Sequence, residues 1–208
     1  MELLVIRHAE PIRVTAEQSG GAPADPNLTK RGHEQAAHLA AWLAAEGVDH
    51  IVSSPLRRAT ETARPLADAL ALDVDVDGEL YEYDANADSY IPVEELRSLK
   101  DERWLAMVEG RWEDFGGENP TTFRTRIVDA LDRVIAAHPG ERVAVVCHGG
   151  VINVYLGALL GIDRHLWFDP GYTSISRVRA SRTGARSVGS INELAHLVGR
   201  WDPPAVTA

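Results

Sequence analysis

The chain has 208 residues, with 21 Lys and Arg against 31 Asp and Glu and a formal net charge of −10. That balance argues against a nucleic-acid binder or a polybasic membrane-surface protein, both of which need a basic face, yet it leaves room for a small basic pocket inside an acidic shell. Hydrophobic residues at 45% and charged residues at 25% describe an ordinary globular chain of one-domain length, with no apolar run long enough to span a membrane.

In chain order, Glu2–Ile6 is too short an apolar run for a helix and predicts a buried strand. Arg7–Leu28, with Pro11, Gly20, Gly21, Pro23 and Pro26, predicts a loop. Thr29 is a candidate N-cap for a helix to about Glu46, ended by Gly47. His50–Ser53 predicts a second strand, followed by a helix from about Leu56 that Pro65 should kink. Asp73–Val76 is a weak strand. Val93–Glu109 has helical composition, and Gly116, Gly117 and Pro120 mark a loop. Thr121 or Thr122 could cap a helix to about Ala137, closed by Pro139-Gly140. Arg142–Cys147 is the strongest strand signal, and an apolar helix to about Leu160 follows it. Thr173–Arg179 alternates like a further strand, and Arg186–Val188 gives a fainter one.

Strands alternating with helices imply an α/β domain with a mostly parallel central sheet. Ligands in such sheets bind beyond the carboxyl ends of the strands. Those ends carry Arg7-His8, Ser53-Ser54-Pro55-Leu56-Arg57-Arg58, Glu79 through Glu82, and His148-Gly149-Gly150. Position carries this signal, because a second Arg-His pair, Arg164-His165, has no strand before it. Two histidines, several arginines and a carboxylate at one sheet edge suit phosphoryl transfer. Guanidinium forks hold a phosphate dianion, a neutral imidazole can attack phosphorus, and a carboxylic acid can protonate the leaving oxygen.

At these residues the chain resembles the histidine phosphatase superfamily, the phosphoglycerate mutase-like proteins. Arg7-His8-Ala9-Glu10 is similar to its RHG or RHA signature, and Leu28-Thr29 through Gly32 and Gln35-Ala36 to its LT-x-x-G-x-x-QA helix. Ser53–Ala63 resembles its S-x-L-x-RA-x-x-TA segment, and Cys147–Ile152 its SHGG segment. The resemblance implies a three-layer α/β/α sandwich over residues 1–208, with a variable, lid-like insertion at about 83–119. It implies that His8 is the nucleophile that becomes phosphohistidine. It further makes Arg7, Arg58 and Gly149 phosphate-binding residues, His148 the second histidine on the transferring group, and Glu82 the acid/base, with no metal and no cofactor. The chain departs from the pattern at Tyr83-Asp84-Ala85-Asn86, where members often have a D-F-G-x-W-E-G-like stretch. It departs again at Val14, where an Asn is common. Glu118, in Gly116-Gly117-Glu118-Asn119, resembles a GES found in many members and is a further pocket candidate.

Three other patterns carry bland alternatives. Residues 73–84 nearly fit an EF-hand calcium loop, with Asp73, Asp75, Asp77, Gly78 and Asp84 in register, but no helix is predicted downstream. His33 and His38 are spaced five apart, which separates their rings by roughly 140° around a helix and disfavours shared metal ligation. Cys147 ends an apolar strand and predicts a buried structural thiol, and the five Trp predict core or pocket wall. The single cysteine cannot form an internal disulfide and, with no signal peptide visible, predicts a cytoplasmic protein.

The expectation is therefore a phosphatase acting on small phosphomonoesters, with a phosphoglycerate mutase of the same chemistry as the rival. A non-catalytic binding module on this fold is third, and a homodimer is left open. Ten acids and no Lys or Arg lie between Pro65 and Leu96, among them Glu79, Glu82 and Asp84. Carboxylates next to Glu82 would raise its proton affinity, as a general acid requires.

Overall fold

The computed structural model describes residues 1–199. Its six strands are β1 (Glu2–Arg7), β2 (His50–Ser53), β3 (Val74–Val76), β4 (Arg142–Cys147), β5 (Ile175–Ala180) and β6 (Arg186–Glu193). They form one sheet in the order β3-β2-β4-β1-β5-β6. The first four are mutually parallel, whereas β5 runs antiparallel to β1 and β6 antiparallel to β5. The helices are α1 (Ala16–Ser19), α2 (Lys30–Glu46), α3 (Arg57–Leu70), α4 (Val93–Ser98), α5 (Glu102–Glu109), α6 (Pro120–Ala137) and α7 (Gly149–Leu160).

The central strands show why the layers form. Successive strand side chains point to opposite faces. Leu3 and Val5 of β1, with Val143, Val145 and Cys147 of β4, pack into one cluster with Phe123, Ile127 and Leu131 of α6 and Val151 and Tyr155 of α7. Leu4 and Ile6, with Ala144 and Val146, pack into a second cluster with Leu39 and Leu43 of α2 and Ala59, Ala63 and Leu66 of α3. The result is a three-layer α/β/α sandwich. No helix among the described residues is long and apolar enough to cross a membrane.

Several local expectations are corrected. Val93–Glu109 is two helices, because Lys100 takes a positive φ of 51° and Asp101 starts a new helix as its N-cap. The cap of α6 is Asn119, whose side chain accepts from the N–H groups of Thr121 and Thr122, with Pro120 in the first turn. That is where proline is best tolerated. A short helix, α1, interrupts the Arg7–Leu28 loop on a capping box between Thr15 and Gln18. The β6 strand runs to Glu193, well beyond Val188. The EF-hand-like stretch contributes β3, an edge strand hydrogen-bonded to β2. Of the tryptophans, Trp112 is core and Trp104 and Trp167 line a cavity, but Trp42 is 40% exposed on α2. Trp201 lies outside the described residues.

Candidate active site

The backbone holds His8 from both sides of β1. Its N–H donates to the Cys147 carbonyl on β4, and its carbonyl accepts from Thr173 before β5. The segment that follows is locked onto the helical layer. Ala9 N–H donates to Thr62 Oγ1 (2.9 Å) and Glu10 N–H to Gln35 Oε1 (2.9 Å). Gly32 lets α2 close on this turn, since a Cβ there would stand 2.2 Å from the Glu10 carbonyl oxygen.

The His8 ring has a defined orientation. Its Nδ1 lies 2.7 Å from the Ala9 carbonyl oxygen. A carbonyl can only accept, so Nδ1 carries the proton and Nε2 the lone pair. Burial, together with the Arg58 and Arg7 charges, holds the imidazole well below its usual pKa. Both conditions favour a neutral nucleophile.

Arg7 and Arg58 are both buried. The Arg7 guanidinium lies 4.1 Å from the Tyr172 ring centroid, and its Nη1 donates to the Pro170 carbonyl (2.5 Å) and to Glu94 Oε1 (3.2 Å). Arg58 lies 4.7 Å from the centre of the Tyr90 ring and 3.7 Å from Asp84 Oδ1. Arg57 instead faces outward toward Asp25. The Nε atoms of both Arg7 and Arg58 are buried without a hydrogen-bond partner, as is Nδ1 of His148. Buried polar groups are normally satisfied; the two arginine Nε donors suit an anion, while Asp84 Oδ1, also without a hydrogen bond, is an acceptor beside Arg58.

His148 does not line the cavity. It is fully buried behind His8, with ring centroids 5.2 Å apart, and its Nε2 lies 2.6 Å from Ser54 Oγ. Burial first, then Arg58, His8 and Arg7, keep this ring neutral as well. Gly149, the first residue of α7, does line the cavity.

Glu82 is buried, and both its oxygens are engaged. Gly150 N–H donates to Oε2 (2.7 Å) and Tyr83 N–H to Oε1 (3.2 Å). Its pKa is pushed up to about 7, first by burial and then by the Asp84 charge. This corrects the expected cause, since burial outweighs neighbouring carboxylates. Glu79 takes no part through its carboxylate; its backbone carbonyl accepts from Arg126. Burial also raises the pKa of Asp84, against the Arg58 charge, which favours its ionised form. Glu118 is not a pocket residue. It pairs with Arg126, whose guanidinium also reaches the Tyr81 carbonyl and stacks 3.5 Å from the Tyr81 ring. Arg126 thereby pins the loop that carries Glu82.

The cavity above these groups measures about 330 Å³ and takes in Arg7, His8, Arg58, Glu82 and Gly149 from the sheet edge. Tyr90 and Pro170 flank Arg58 and Arg7, and most of the remaining lining comes from residues 91–108 and 164–169. Among the described residues, the three that could share a metal ion are His50, His138 and Glu141, with ligand atoms within 4.8 Å of one another. They sit where β2 and β4 begin, at the end of the sheet opposite His8. Cys147 is buried, and burial pushes its thiol pKa up, as expected of an inert packing residue.

The model of the histidine phosphatase superfamily, branch 1, matches residues 3–193. The chain belongs to this superfamily. Phosphoserine phosphatase 1 of Hydrogenobacter thermophilus is 34% identical over 165 residues, 78% of each chain. A protein of Yersinia enterocolitica named as a probable phosphoglycerate mutase is 29% identical over 99% of this chain and 97% of its own. A bifunctional relative from Mycobacterium tuberculosis is matched over only 54% of its length. Among solved structures, a phosphoserine phosphatase from Entamoeba histolytica superposes with a TM-score of 0.75. It is 22% identical, with 94% of this chain and 98% of the other covered. That likeness concerns the fold.

Tyr90, Arg126 and Tyr172 contribute to this site without standing out in the sequence, whereas Ser54, Thr62 and Gly150 fall inside the strand-end and motif segments without being singled out. Gly150 had a signal available in the second glycine of His148-Gly149-Gly150.

Proposed function

We propose that the protein hydrolyses small phosphomonoesters through a phosphohistidine on His8. The observation that carries this is the Nδ1 contact to Ala9, which leaves Nε2 free beside two arginines with unsatisfied Nε donors. Arg7 and Arg58 hold the phosphoryl oxygens, with the N-terminus of α7 at Gly149 adding its dipole. Nε2 attacks phosphorus as the bond to the ester oxygen breaks, and Glu82 gives its proton to that oxygen. Ionised Glu82 then takes a proton from water, whose oxygen bonds to phosphorus. The P–N bond breaks, its electrons return to Nε2, and inorganic phosphate leaves. His148, buried behind His8 with its Nε2 2.6 Å from Ser54 Oγ, packs against the His8 ring and holds it in position.

In this proposal the chain is one catalytic domain working in the cytoplasm, and residues 83–119 are its lid. The Yersinia relative supports a second reading, a mutase, which would keep the phosphoryl group on His8 and return it to a bound product.

Incubating wild type and His8→Ala with a phosphomonoester panel and with 3-phosphoglycerate separates the two. Phosphate release that vanishes in the variant supports hydrolysis; isomerisation without release supports the mutase. No turnover of either kind favours a binding module. Because the arginines supply the positive charge, activity should survive EDTA, and its loss would contradict this mechanism.

A further inference from the structure

Much of the cavity lining beyond the two arginines is apolar, supplied by Ile91, Val93, Trp104, Leu105, Leu166 and Phe168. Its charged neighbours do not favour a second anion. Arg97 is ion-paired with Asp169 (3.0 Å) and lies 5.7 Å from the Trp104 ring centre. Asp84 lines the same cavity and, when ionised, would repel a carboxylate. Arg164 is the remaining lining cation, exposed at the rim.

The aromatic part of this wall is also built in advance. Asn153 Oδ1 accepts from the N–H groups of Trp167 (2.8 Å) and Phe168 (3.1 Å), while its Nδ2 donates to the Phe168 carbonyl (3.1 Å). The Trp167 indole donates to the Asn153 carbonyl (3.0 Å), and Asn153 Nδ2 reaches the Gly149 carbonyl (2.9 Å). One side chain therefore ties the aromatic wall to α7, the helix that starts at the phosphate cradle. A cavity of about 330 Å³ is of small-molecule size, larger than a phosphate alone requires.

We infer that the alcohol half of the substrate is apolar, an aryl- or arylalkyl-bearing ester rather than a phosphorylated hydroxy or amino acid. This rests on the phosphomonoesterase reading and adds the leaving-group class. An aryl group would gain burial against Trp104, Leu105 and Phe168. A carboxylate placed there would lose hydration with no free cation except Arg164 to replace it.

The test compares 2-phenylethyl phosphate, phosphoserine and 3-phosphoglycerate, all esters of primary alcohols, so that leaving-oxygen basicity is not the variable. Steady-state kcat/KM is measured for wild type, Leu105→Ser and Arg164→Ala, and calorimetric affinities for the His8→Ala protein. The expected result is a preference of about a hundredfold for 2-phenylethyl phosphate. Leu105→Ser should lower that preference about tenfold, chiefly through KM, and Arg164→Ala should leave it in place. Leu105 is half exposed, at 52%, so its replacement spares the core.

Preferential turnover of phosphoserine or 3-phosphoglycerate, lost in Arg164→Ala, would overturn the apolar assignment while leaving the phosphatase reading intact. Tighter binding of 2-phenylethyl phosphate without hydrolysis of any ester would do the reverse.

Discussion

A Cβ on Gly150 would stand 2.3 Å from Glu82 Oε1, and the Gly150 N–H is the donor to Glu82 Oε2. The carboxyl group is thus seated on a residue that cannot have a side chain. Gly150→Ala should push Glu82 out of place while α7, where alanine is a good helix former, persists. The expected loss is on the order of a hundredfold in kcat, with little change in the circular dichroism spectrum or in phosphate affinity.

Glu82→Gln removes the proposed acid without removing bulk. Its cost should depend on the ester. Rates with alkyl phosphates should fall by about 100-fold to 1,000-fold, whereas p-nitrophenyl phosphate, whose leaving oxygen needs little protonation, should lose far less. An equal loss on both esters would place Glu82 in a structural role.

The titration of Glu82 gives the sign of a pH effect. As the proposed acid of the first step it must hold its proton, so single-turnover phosphorylation should decline as pH rises through about 7. Asp84→Asn removes a charge that favours that proton, and the decline should move to lower pH by roughly one unit. Burial is the larger cause, so the limb should remain above the range of an exposed glutamate. His8, already neutral, should add no acidic limb near pH 6. Stability follows the same linkage. The unfolded chain releases this proton in the ordinary carboxylate range, whereas the fold holds it up to about pH 7. Stability is therefore lost as pH rises between those two titrations and levels off above the second. Urea unfolding should show Glu82→Gln gaining on wild type through that window, by up to about 1.4 kcal/mol for each pH step of one.

Arg126 holds Glu118 and two carbonyls of the loop before Glu82. Arg126→Ala should leave a half-buried Glu118 without its partner and cost about 3 kcal/mol in urea unfolding. The alkyl-ester rate should fall with it, because the Glu82 loop loses its anchor.

What could be read from the chain differs between these residues for a physical reason. His8 and His148 follow the two most apolar strands, so strand periodicity and the rule of strand carboxyl ends locate both. Arg58 is told from Arg57 by the resemblance of Arg58-Ala59 to the family's RA pair, and the structure places only Arg58 inward. The strand-end rule reaches Glu79 through Glu82, but the choice of Glu82 rests on resemblance, and its raised pKa arises from burial, which periodicity cannot report. The break at Lys100 is invisible in sequence because a single positive φ leaves composition unchanged. Asn119-Pro120, by contrast, is a legible start signal that outweighs Thr121. The acidic segment divides in two: Asp73, Asp75 and Asp77 belong to the sheet edge around β3, while Glu82 and Asp84 turn into the cavity.

The mechanism requires a covalent bond between His8 and phosphorus. Wild type and His8→Ala are mixed with a ³²P-labelled phosphomonoester, quenched with alkali within a turnover, and separated by gel. The expected result is label on the wild-type chain that survives alkali, is released by mild acid, and is absent from His8→Ala. Phosphate release by wild type with no labelled protein at any time, or equal label in both proteins, would contradict it.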